Sequence, residues 1–390
     1  MNKRNNFFSL DFSNENIIDN KYIDLINETF NKQNLLILSW MKNIWKLNII
    51  KSYLYKNNLT NNYFYFNKSN DINNKINSHL DLLKLINDYI QLYKIPKIVI
   101  LENTSKIKWI KETISYLYKM KYKVILLWND IKIWWIKEIE VLNKINTNKE
   151  NIINSLSYWS LNLIKQIEDK ETKEKILNLI VNDIFLNSIF KDLSVKSIEL
   201  YNFTITYLSK NNHFYSLREL QKKLNETNKI SLKTTIDYID FSIQSKIIKR
   251  CYKYDIKNKK EITSKAKYYF NDNWIRNSLS NFQLNKNILI ENLIFNILNY
   301  NNFEIYSGLN WKFNFSFYLK KQSKNIFIHI SETNNKDELK KEVNKLNKIK
   351  LEWKKYLLIE SIENLKIKKL IYDNVEIIEI YDFLEKFKQK

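Results

Sequence analysis

The residues best suited to chemistry lie in a short stretch that follows an apolar run. If glycine stood at positions 40 and 45, residues 40–46 would match the pattern G-x-x-x-x-G-K. In that pattern backbone N–H groups wrap phosphates and the lysine, here Lys46, reaches the β- and γ-phosphates. The magnesium-holding Ser or Thr that normally follows is replaced by Leu47. The predicted phosphate-binding set is Trp40, Met41, Lys42, Asn43, Ile44, Trp45, Lys46 and Leu47. The alternative is an ordinary strand–loop–helix with two core tryptophans.

A second candidate group ends another apolar run, residues 97–102 (KIVILE). An acid at such a strand end binds magnesium through water, and a second acid activates the attacking water. Glu102 is therefore a candidate catalytic and metal-binding residue. Asn103 occupies the position of the second acid, where an amide cannot act as a base. The alternative is a strand capped by a surface acid.

A third apolar run, residues 122–130 (YKVILLWND), ends in Asn129 and Asp130. In proteins with the phosphate-binding pattern, a polar residue at this strand end contacts the γ-phosphate, so both are candidate site residues. We predict that each of these apolar runs forms a buried parallel strand. The first strand spans residues 35–38. Helical patterns over 73–93 and 109–118 alternate with them, which predicts a parallel α/β sheet.

The composition bears directly on the tryptophans. Ten tryptophans accompany a single glycine, Gly308, a single proline, Pro96, and a single alanine, Ala266. This amino-acid usage indicates a very AT-rich gene. The same codon bias should also have removed tryptophan, because the standard tryptophan codon is GC-rich. We hypothesise that most of these tryptophans are UGA codons read as glycine in the cell. The alternative is a genetic code in which UGA encodes tryptophan.

The length, net charge and cysteine content of the chain limit its number of domains, its partners and its compartment. A chain of 390 residues predicts two or three domains. The net charge of +22 would attract phosphate backbones, but AT-rich codons inflate lysine and weaken that inference. The single cysteine, Cys251, excludes an internal disulfide and fits a reducing compartment. No apolar run is long enough to span a membrane and no signal peptide is visible, so we expect a cytoplasmic protein without membrane contact.

Four stretches resemble one known family, the AAA+-type P-loop ATPases of bacteria and archaea that carry a C-terminal domain of unknown function. Residues 40–47 resemble its G-P-R-R-V-G-K-T, residues 98–105 its I-V-x-L-D-E-I-Q, and residues 124–130 its V-I-L-T-G-S-N. The clearest match is KYYFNDNWIRNSL (267–279) to K-Y-Y-F-x-D-x-G-I-R-N. Tryptophans at four family glycine positions support the recoding hypothesis: Trp40, Trp45, Trp128 and Trp274. Trp135 is a candidate fifth, whereas Trp109 reads as a genuine tryptophan.

The resemblance implies an α/β protein of three parts. A P-loop domain with a parallel sheet would occupy residues 1–165, a helical and winged-helix segment 166–280, and a restriction-endonuclease-like domain 281–390. It implies ATP and Mg²⁺ as ligands, with weak magnesium binding because of Leu47. Oligomerisation is open.

The middle of the chain carries helix-turn-helix spacing. Ser216 and Ser231 are suitable N-caps for helices over 216–225 and 231–248, and residues 250–262 read as a β-hairpin wing. A winged helix can place its second helix in the major groove of DNA. It serves equally well as a protein-packing module, so DNA and a protein partner both remain open.

The last part carries a nuclease-like pattern without its acids. A helix over 290–298 contains Glu291, and strands over 310–319 and 325–331 follow. Lys312 and Asn314 stand where the resemblance implies carboxylates, and His329 and Ser331 occupy the second motif. We therefore expect no metal site and no DNA cleavage there.

These observations favour an ATP-binding, AAA+-type protein with weak or lost hydrolysis and a DNA- or partner-binding C-terminal half. Two alternatives remain: a non-enzymatic winged-helix DNA-binding protein, and a decayed pseudo-ATPase that acts as a scaffold.

Overall fold

A computed structural model describes most of the chain, in two compact units that divide between Leu142 and Asn143. The residues described are 10, 20–39, 46–70, 73, 75–104, 107–127, 137–140, 169–183, 197–256, 258–283, 285–301, 303–310, 313–321, 324–333, 335–349, 354–362, 371–372 and 374–388.

The first unit alternates strands and helices. Its elements are α1 (Asn20–Lys32), β1 (Leu35–Ser39), α2 (Lys46–Lys56), β2 (Tyr63–Asn67), α3 (His79–Leu92), β3 (Ile98–Glu102), α4 (Ile110–Lys119), β4 (Lys123–Leu127) and β5 (Lys137–Glu140). The strands form one sheet in the order β2-β3-β4-β1-β5, and every pair in it is parallel. The predicted parallel α/β sheet is confirmed, and the three predicted strands are β1, β3 and β4.

The sheet of the first unit is buried on both faces, as apolar parallel strands require. One face packs against α3 and α4 through Leu82, Ile86, Ile110 and Ile114, which contact alternate residues of the strands. The intervening strand residues are equally buried and face the other side, where α1 and α2 contribute buried residues such as Ile26 and Ile50. α1 and α2 contact each other through Phe30 and Tyr53, with ring centroids 6.2 Å apart.

Strand order places the ends of β1 and β4 side by side. The chain leaves β1 toward the β2 edge and leaves β4 toward β5, so the two connections run in opposite directions. Right-handed crossovers put α2, which follows β1, on the face opposite to α3 and α4, which follow β2 and β3. A crevice at the carboxyl ends of such neighbouring strands is the usual ligand position in open α/β sheets.

The second unit begins with helices and a hairpin. These are α5 (Lys170–Asp183), α6 (Ile198–Lys210), α7 (Leu217–Asn225), α8 (Leu232–Gln244), β6 (Ile248–Asp255) and β7 (Lys260–Phe270). Ser216 caps α7 in a reciprocal capping box with Glu219, and Ser231 accepts a hydrogen bond from Thr234 N at the start of α8. Both predicted N-caps are confirmed. β6 and β7 are antiparallel where a hairpin was predicted.

The rest of the second unit completes a mixed sheet. Its elements are α9 (Asn273–Leu279), α10 (Lys286–Tyr300), β8 (Glu304–Asn310), β9 (Phe313–Lys321), β10 (Lys324–Ile330), α11 (Lys336–Asn347), β11 (Lys354–Ile359), β12 (Ile371–Tyr372), β13 (Val375–Glu379) and α12 (Ile380–Lys388). The eight strands run in the order β12-β13-β11-β10-β9-β8-β6-β7. β6 pairs with β8, so strands from both sides of residue 280 share one sheet.

Two cores flank this mixed sheet. α10 and α12 cover one of them, where Leu293 and Phe383 pack against strand residues such as Phe317. α11 covers the other through Leu339 and Val343. The helix and the two strands predicted over residues 290–331 are present as α10, β9 and β10. β8, α11 and every element after α11 were not predicted from the sequence.

In the described part of the chain no helix combines the length and apolarity needed to cross a bilayer.

Candidate functional site

The predicted phosphate-binding stretch lies between an inner strand of the sheet and a helix. β1 ends at Ser39 and α2 begins at Lys46, which leaves residues 40–45 as the connection; these lie outside the described residues. The first N–H groups of α2 have no partner within the helix and carry its partial positive charge. An anion at this helix start would therefore be stabilised. Leu47 is half-buried, and its side chain has no oxygen atom to offer a metal ion.

Glu102 is the last residue of β3 and is buried, with 4% of its surface exposed. The hydroxyl of Tyr65 on β2 donates to its Oε2 at 2.5 Å, and Nδ2 of Asn67 donates to the same oxygen at 3.1 Å. Burial and the adjacent Glu102 carboxylate raise the pKa of Tyr65 well above its usual value, so its hydroxyl stays protonated and remains a donor. The Glu102 side chain is consequently fixed in one orientation.

Asn103 has left-handed backbone geometry, with φ of 54°. Asparagine is one of the few non-glycine residues that adopt this conformation routinely. Its Nδ2 donates to Oδ1 of Asn67 at 3.0 Å, so Asn67 bonds to Glu102 and Asn103 together. The structure thus brings both predicted residues into one network with β2.

Strand register sets the distance between this network and the phosphate-binding stretch. Glu102 is opposite Leu127 on β4, and Leu127 is opposite Leu38 on β1. Two strand spacings of ~4.8 Å separate Glu102 from β1, which is about 10 Å. Asn129 and Asp130 follow β4 and lie outside the described residues.

The structure gives the burial and backbone geometry of two tryptophans that bear on the recoding hypothesis, Trp274 and Trp109. Trp274 is the second residue of α9 and is 1% exposed. Trp109 precedes α4 with φ of 61°, is 69% exposed, and makes no side-chain cap. A large side chain at positive φ is strained where glycine is not. Lys121 and Phe282 also have positive φ, so this geometry is compatible with the genuine tryptophan that the sequence predicts at position 109. Trp40, Trp45, Trp128 and Trp135 lie outside the described residues.

The nuclease-like positions lie in the second unit. Glu291, on α10, accepts hydrogen bonds from Lys267 Nζ at 2.8 Å, from the Tyr269 hydroxyl at 2.6 Å and from Asn212 Nδ2 at 2.6 Å. His329 is on β10 and Ser331 directly follows that strand. Asn314 is in β9, whereas Lys312 lies outside the described residues.

No set of three or more His, Cys, Asp or Glu side chains suited to a metal ion occurs within the described ranges.

Several residues of these networks were missed by sequence reasoning. Tyr65 and Asn67 belong to YFYFN, an apolar run with a polar end. β3 has the same pattern in IVILE, so this signal could have indicated a strand. Lys267 and Asn212 carry no local signal, because they meet Glu291 across 24 and 79 residues of sequence.

Comparisons with known proteins gave no match to any family model and none to any curated protein. Among solved structures, a Walker-type ATPase of Pyrococcus abyssi gives a TM-score of 0.43 at 9% identity, covering 67% of this chain and 96% of the other. The replication initiator DnaA, bound to AMPPCP and single-stranded DNA, gives 0.30 at 15% identity, covering 60% and 94%. The Drosophila ORC structure, bound to AT-rich DNA and Cdc6, gives 0.21 at 13% identity, covering 68% and 94%. All three TM-scores are too low to establish a shared fold by themselves.

Proposed function

We propose that the first unit binds ATP at the carboxyl edge of its parallel sheet. The observation that carries this proposal is the position of residues 40–46. They connect β1, an inner strand of the sheet, to the start of α2, beside the crevice between β1 and β4. With glycine at positions 40 and 45, this connection has the residue types that a phosphate-binding loop needs.

The residues present fit a magnesium ion only in part. Glu102 supplies one carboxylate at the correct edge, which suits a hard cation held through water. Leu47 offers no hydroxyl, so the second usual protein ligand is missing. We propose weak Mg²⁺ binding, with the triphosphate of the nucleotide supplying most of the oxygen ligands.

We further propose that hydrolysis is slow. Asn103 occupies the position for the water-activating acid, and its amide donates to Asn67 instead of accepting a proton. Asn103→Asp should raise steady-state phosphate release, because aspartate also tolerates left-handed geometry and supplies a base. An unchanged rate would place the water-activating group elsewhere.

For the second unit we propose a winged-helix segment and an endonuclease-like fold without nuclease activity. The charge of α8 gives no support to groove binding through that helix, because its charged residues are Lys233, Asp237 and Asp240, and Asp240 is paired with Arg250 at 3.1 Å. In a chain of net charge +22, a second helix without an excess of cations favours a protein partner over DNA. Electrophoretic mobility shift at low salt tests this: Asp237→Lys with Asp240→Lys should strengthen DNA binding, whereas loss of an existing complex would assign α8 to DNA.

The nucleotide proposal is tested by calorimetric titration with ATP. The protein with glycine at positions 40, 45, 128 and 274 should bind ATP, and the tryptophan form should not, because indoles leave no room for phosphates against the backbone. In the glycine form Lys46→Ala should abolish binding, while Lys51→Ala, on the same helix, should not. Equal affinity of the glycine and tryptophan forms would contradict the recoding hypothesis, and binding that survives Lys46→Ala would contradict the phosphate-loop assignment.

A further inference from the structure

Exposed apolar side chains are concentrated at one end of the first unit. Twelve large apolar side chains are exposed in the described part of the chain, and six of them fall within residues 92–95 and 116–120. Single exposed apolar residues are common on protein surfaces, whereas a cluster of them marks a contact site. We call this cluster the amino-edge patch; its apolar members are Leu92, Tyr93, Ile95, Tyr116, Tyr118 and Met120.

Strand register brings the two segments of the patch together. Residues 92–97 lead from α3 into β3, and residues 116–122 lead from the last turn of α4 into β4. Ile98 is opposite Lys123 in the pairing of these parallel strands. The two connections therefore enter the sheet side by side, about 5 Å apart, at its amino edge. This edge is opposite to the carboxyl edge at which we place the nucleotide.

The charge of the amino-edge patch is positive throughout. Lys94, Lys97, Lys119 and Lys121 are exposed among the apolar side chains. Residues 89–97 and 113–123 contain no aspartate or glutamate. In a chain of net charge +22, lysines alone would be weak evidence of a site. Here they surround the main group of exposed apolar side chains, so the surface is both apolar and cationic.

The surface of an anionic bilayer matches both properties. Aliphatic side chains enter the boundary between headgroups and acyl chains, and tyrosine rings lie at the level of the headgroups. Lysine ammonium groups on flexible chains reach the anionic headgroups.

Two other partners match the patch less well. The most exposed members are Leu92 at 75%, Ile95 at 65% and Met120 at 56%, and none of them has a ring on which a nucleic-acid base could stack. Protein interfaces are depleted in lysine, whereas lysine is the only charged residue of this patch.

We propose that the amino-edge patch docks the protein on the surface of an anionic bilayer. Leu92, Ile95 and Met120 enter the headgroup region, and the four lysines contact lipid phosphates. The expectation of no membrane contact followed from the absence of a spanning run, which does not bear on contact through surface side chains. The patch contains no tryptophan, so it is the same under both readings of the codons.

The first test is co-sedimentation of the full-length chain with two kinds of vesicle, phosphatidylcholine alone and phosphatidylcholine mixed with phosphatidylglycerol. We expect binding to the anionic vesicles that weakens as salt rises, and little binding to the neutral ones. Leu92→Ser with Ile95→Ser should lower the partition coefficient at least about tenfold, because two aliphatic side chains no longer leave water. Lys119→Gln with Lys121→Gln should lower it about tenfold, because two cations are lost.

Matched controls come from the second unit. Leu179→Ser removes a leucine that is 68% exposed on α5, and Lys222→Gln with Lys229→Gln removes two exposed lysines. Both controls should leave the partition coefficient unchanged. Every replaced side chain is exposed, so we expect all variants to fold, and circular dichroism checks this.

Insertion of the patch is measured separately with a fluorescent label. Cys251 is the single native cysteine and is buried, so an environment-sensitive fluorophore can be attached selectively to Met120→Cys. We expect its emission to shift to shorter wavelength on anionic vesicles, because position 120 enters a less polar region. The same label on Leu179→Cys should show no shift.

Three results would each overturn the proposal. The first is no binding to anionic vesicles at low salt, and the second is binding that neither double variant of the patch weakens. The third is a label at position 120 that does not respond to bound vesicles. If vesicles do not bind but the patch variants weaken binding of a single-stranded oligonucleotide, the patch contacts nucleic acid. If vesicles do not bind and the patch variants dissociate a dimer in light scattering, the patch contacts a second copy of the chain.

Discussion

The hydroxyl of Tyr65 on β2 donates a hydrogen bond of 2.5 Å to Oε2 of Glu102 on β3. The two residues are 37 positions apart in the sequence and meet because parallel pairing brings the carboxyl ends of both strands to one edge of the sheet. The contact decides the orientation of the acid that we place at the metal site.

Replacing Tyr65 by phenylalanine removes a donor from the buried carboxylate of Glu102. We expect Tyr65→Phe to lower the free energy of unfolding by about 1–3 kcal/mol, because a buried charged acceptor loses one of its donors. Urea denaturation measures this. Tyr53→Phe is the matched control, since the Tyr53 hydroxyl makes no hydrogen bond to the described residues, and it should change stability little. Equal effects of the two substitutions would show that the bond to Glu102 does not stabilise the fold.

Trp274 provides a stability test of recoding that is independent of nucleotide binding. If tryptophan is the native residue, removing this buried side chain should cost about 3–5 kcal/mol. If the cell inserts glycine, the surrounding sequence evolved around glycine, and Trp274→Gly should leave the melting temperature unchanged or raise it. We expect the second outcome. A large drop measured by differential scanning calorimetry would establish position 274 as tryptophan.

Trp109 offers a second test, based on backbone strain. We expect Trp109→Gly to stabilise the first unit by about 1 kcal/mol, because glycine adopts its positive φ without a clash and the exposed indole buries little surface. Trp109→Ala is the control, since alanine keeps the Cβ that causes the strain. Thermal denaturation should separate the two variants. Equal stabilities for glycine and alanine would remove left-handed strain as the reason.

The ionisation of Glu219 should make the free energy of unfolding depend on pH in the acidic range. Hydrogen bonds from Lys265 and from the Ser216 backbone lower the pKa of Glu219 from 4.5 to about 2. A depressed pKa contributes stability that is complete above pH 4.5 and is lost as the pH falls toward 2. Because the pair is half exposed, we expect at most about 1 kcal/mol.

The measurement for Glu219 is chemical denaturation of the native chain and Glu219→Gln over this pH range. The difference between them should be greatest near neutral pH and should shrink below pH 4.5. Glu226→Gln, which breaks only an exposed pair with Lys223, is the control and should change stability less. A difference between the native chain and Glu219→Gln that is constant with pH would show that the two contacts do not act on the charged carboxylate.

The sequence alone determined the elements whose signals are local. Apolar runs identified β1, β3 and β4, because a strand buried on both faces must be apolar throughout. Ser216 and Ser231 predicted the starts of α7 and α8, because the side chain of an N-cap accepts a hydrogen bond from a backbone N–H only three residues away. The tryptophans and Lys46 at residues 40–46 are also a local signal, and the phosphate-binding role that they indicate stays a prediction.

Only the tertiary structure decided which distant side chains meet. The partners of Glu102 and Glu291 come from other strands and loops, and pairing across tens of residues leaves no periodic trace. The amino-edge patch arises because the parallel pairing of β3 and β4 brings together the two connections that precede them. Gly308 shows the same limit: composition marks it as the single glycine, but the ring of Phe315 pressed against its Cα explains why no side chain fits.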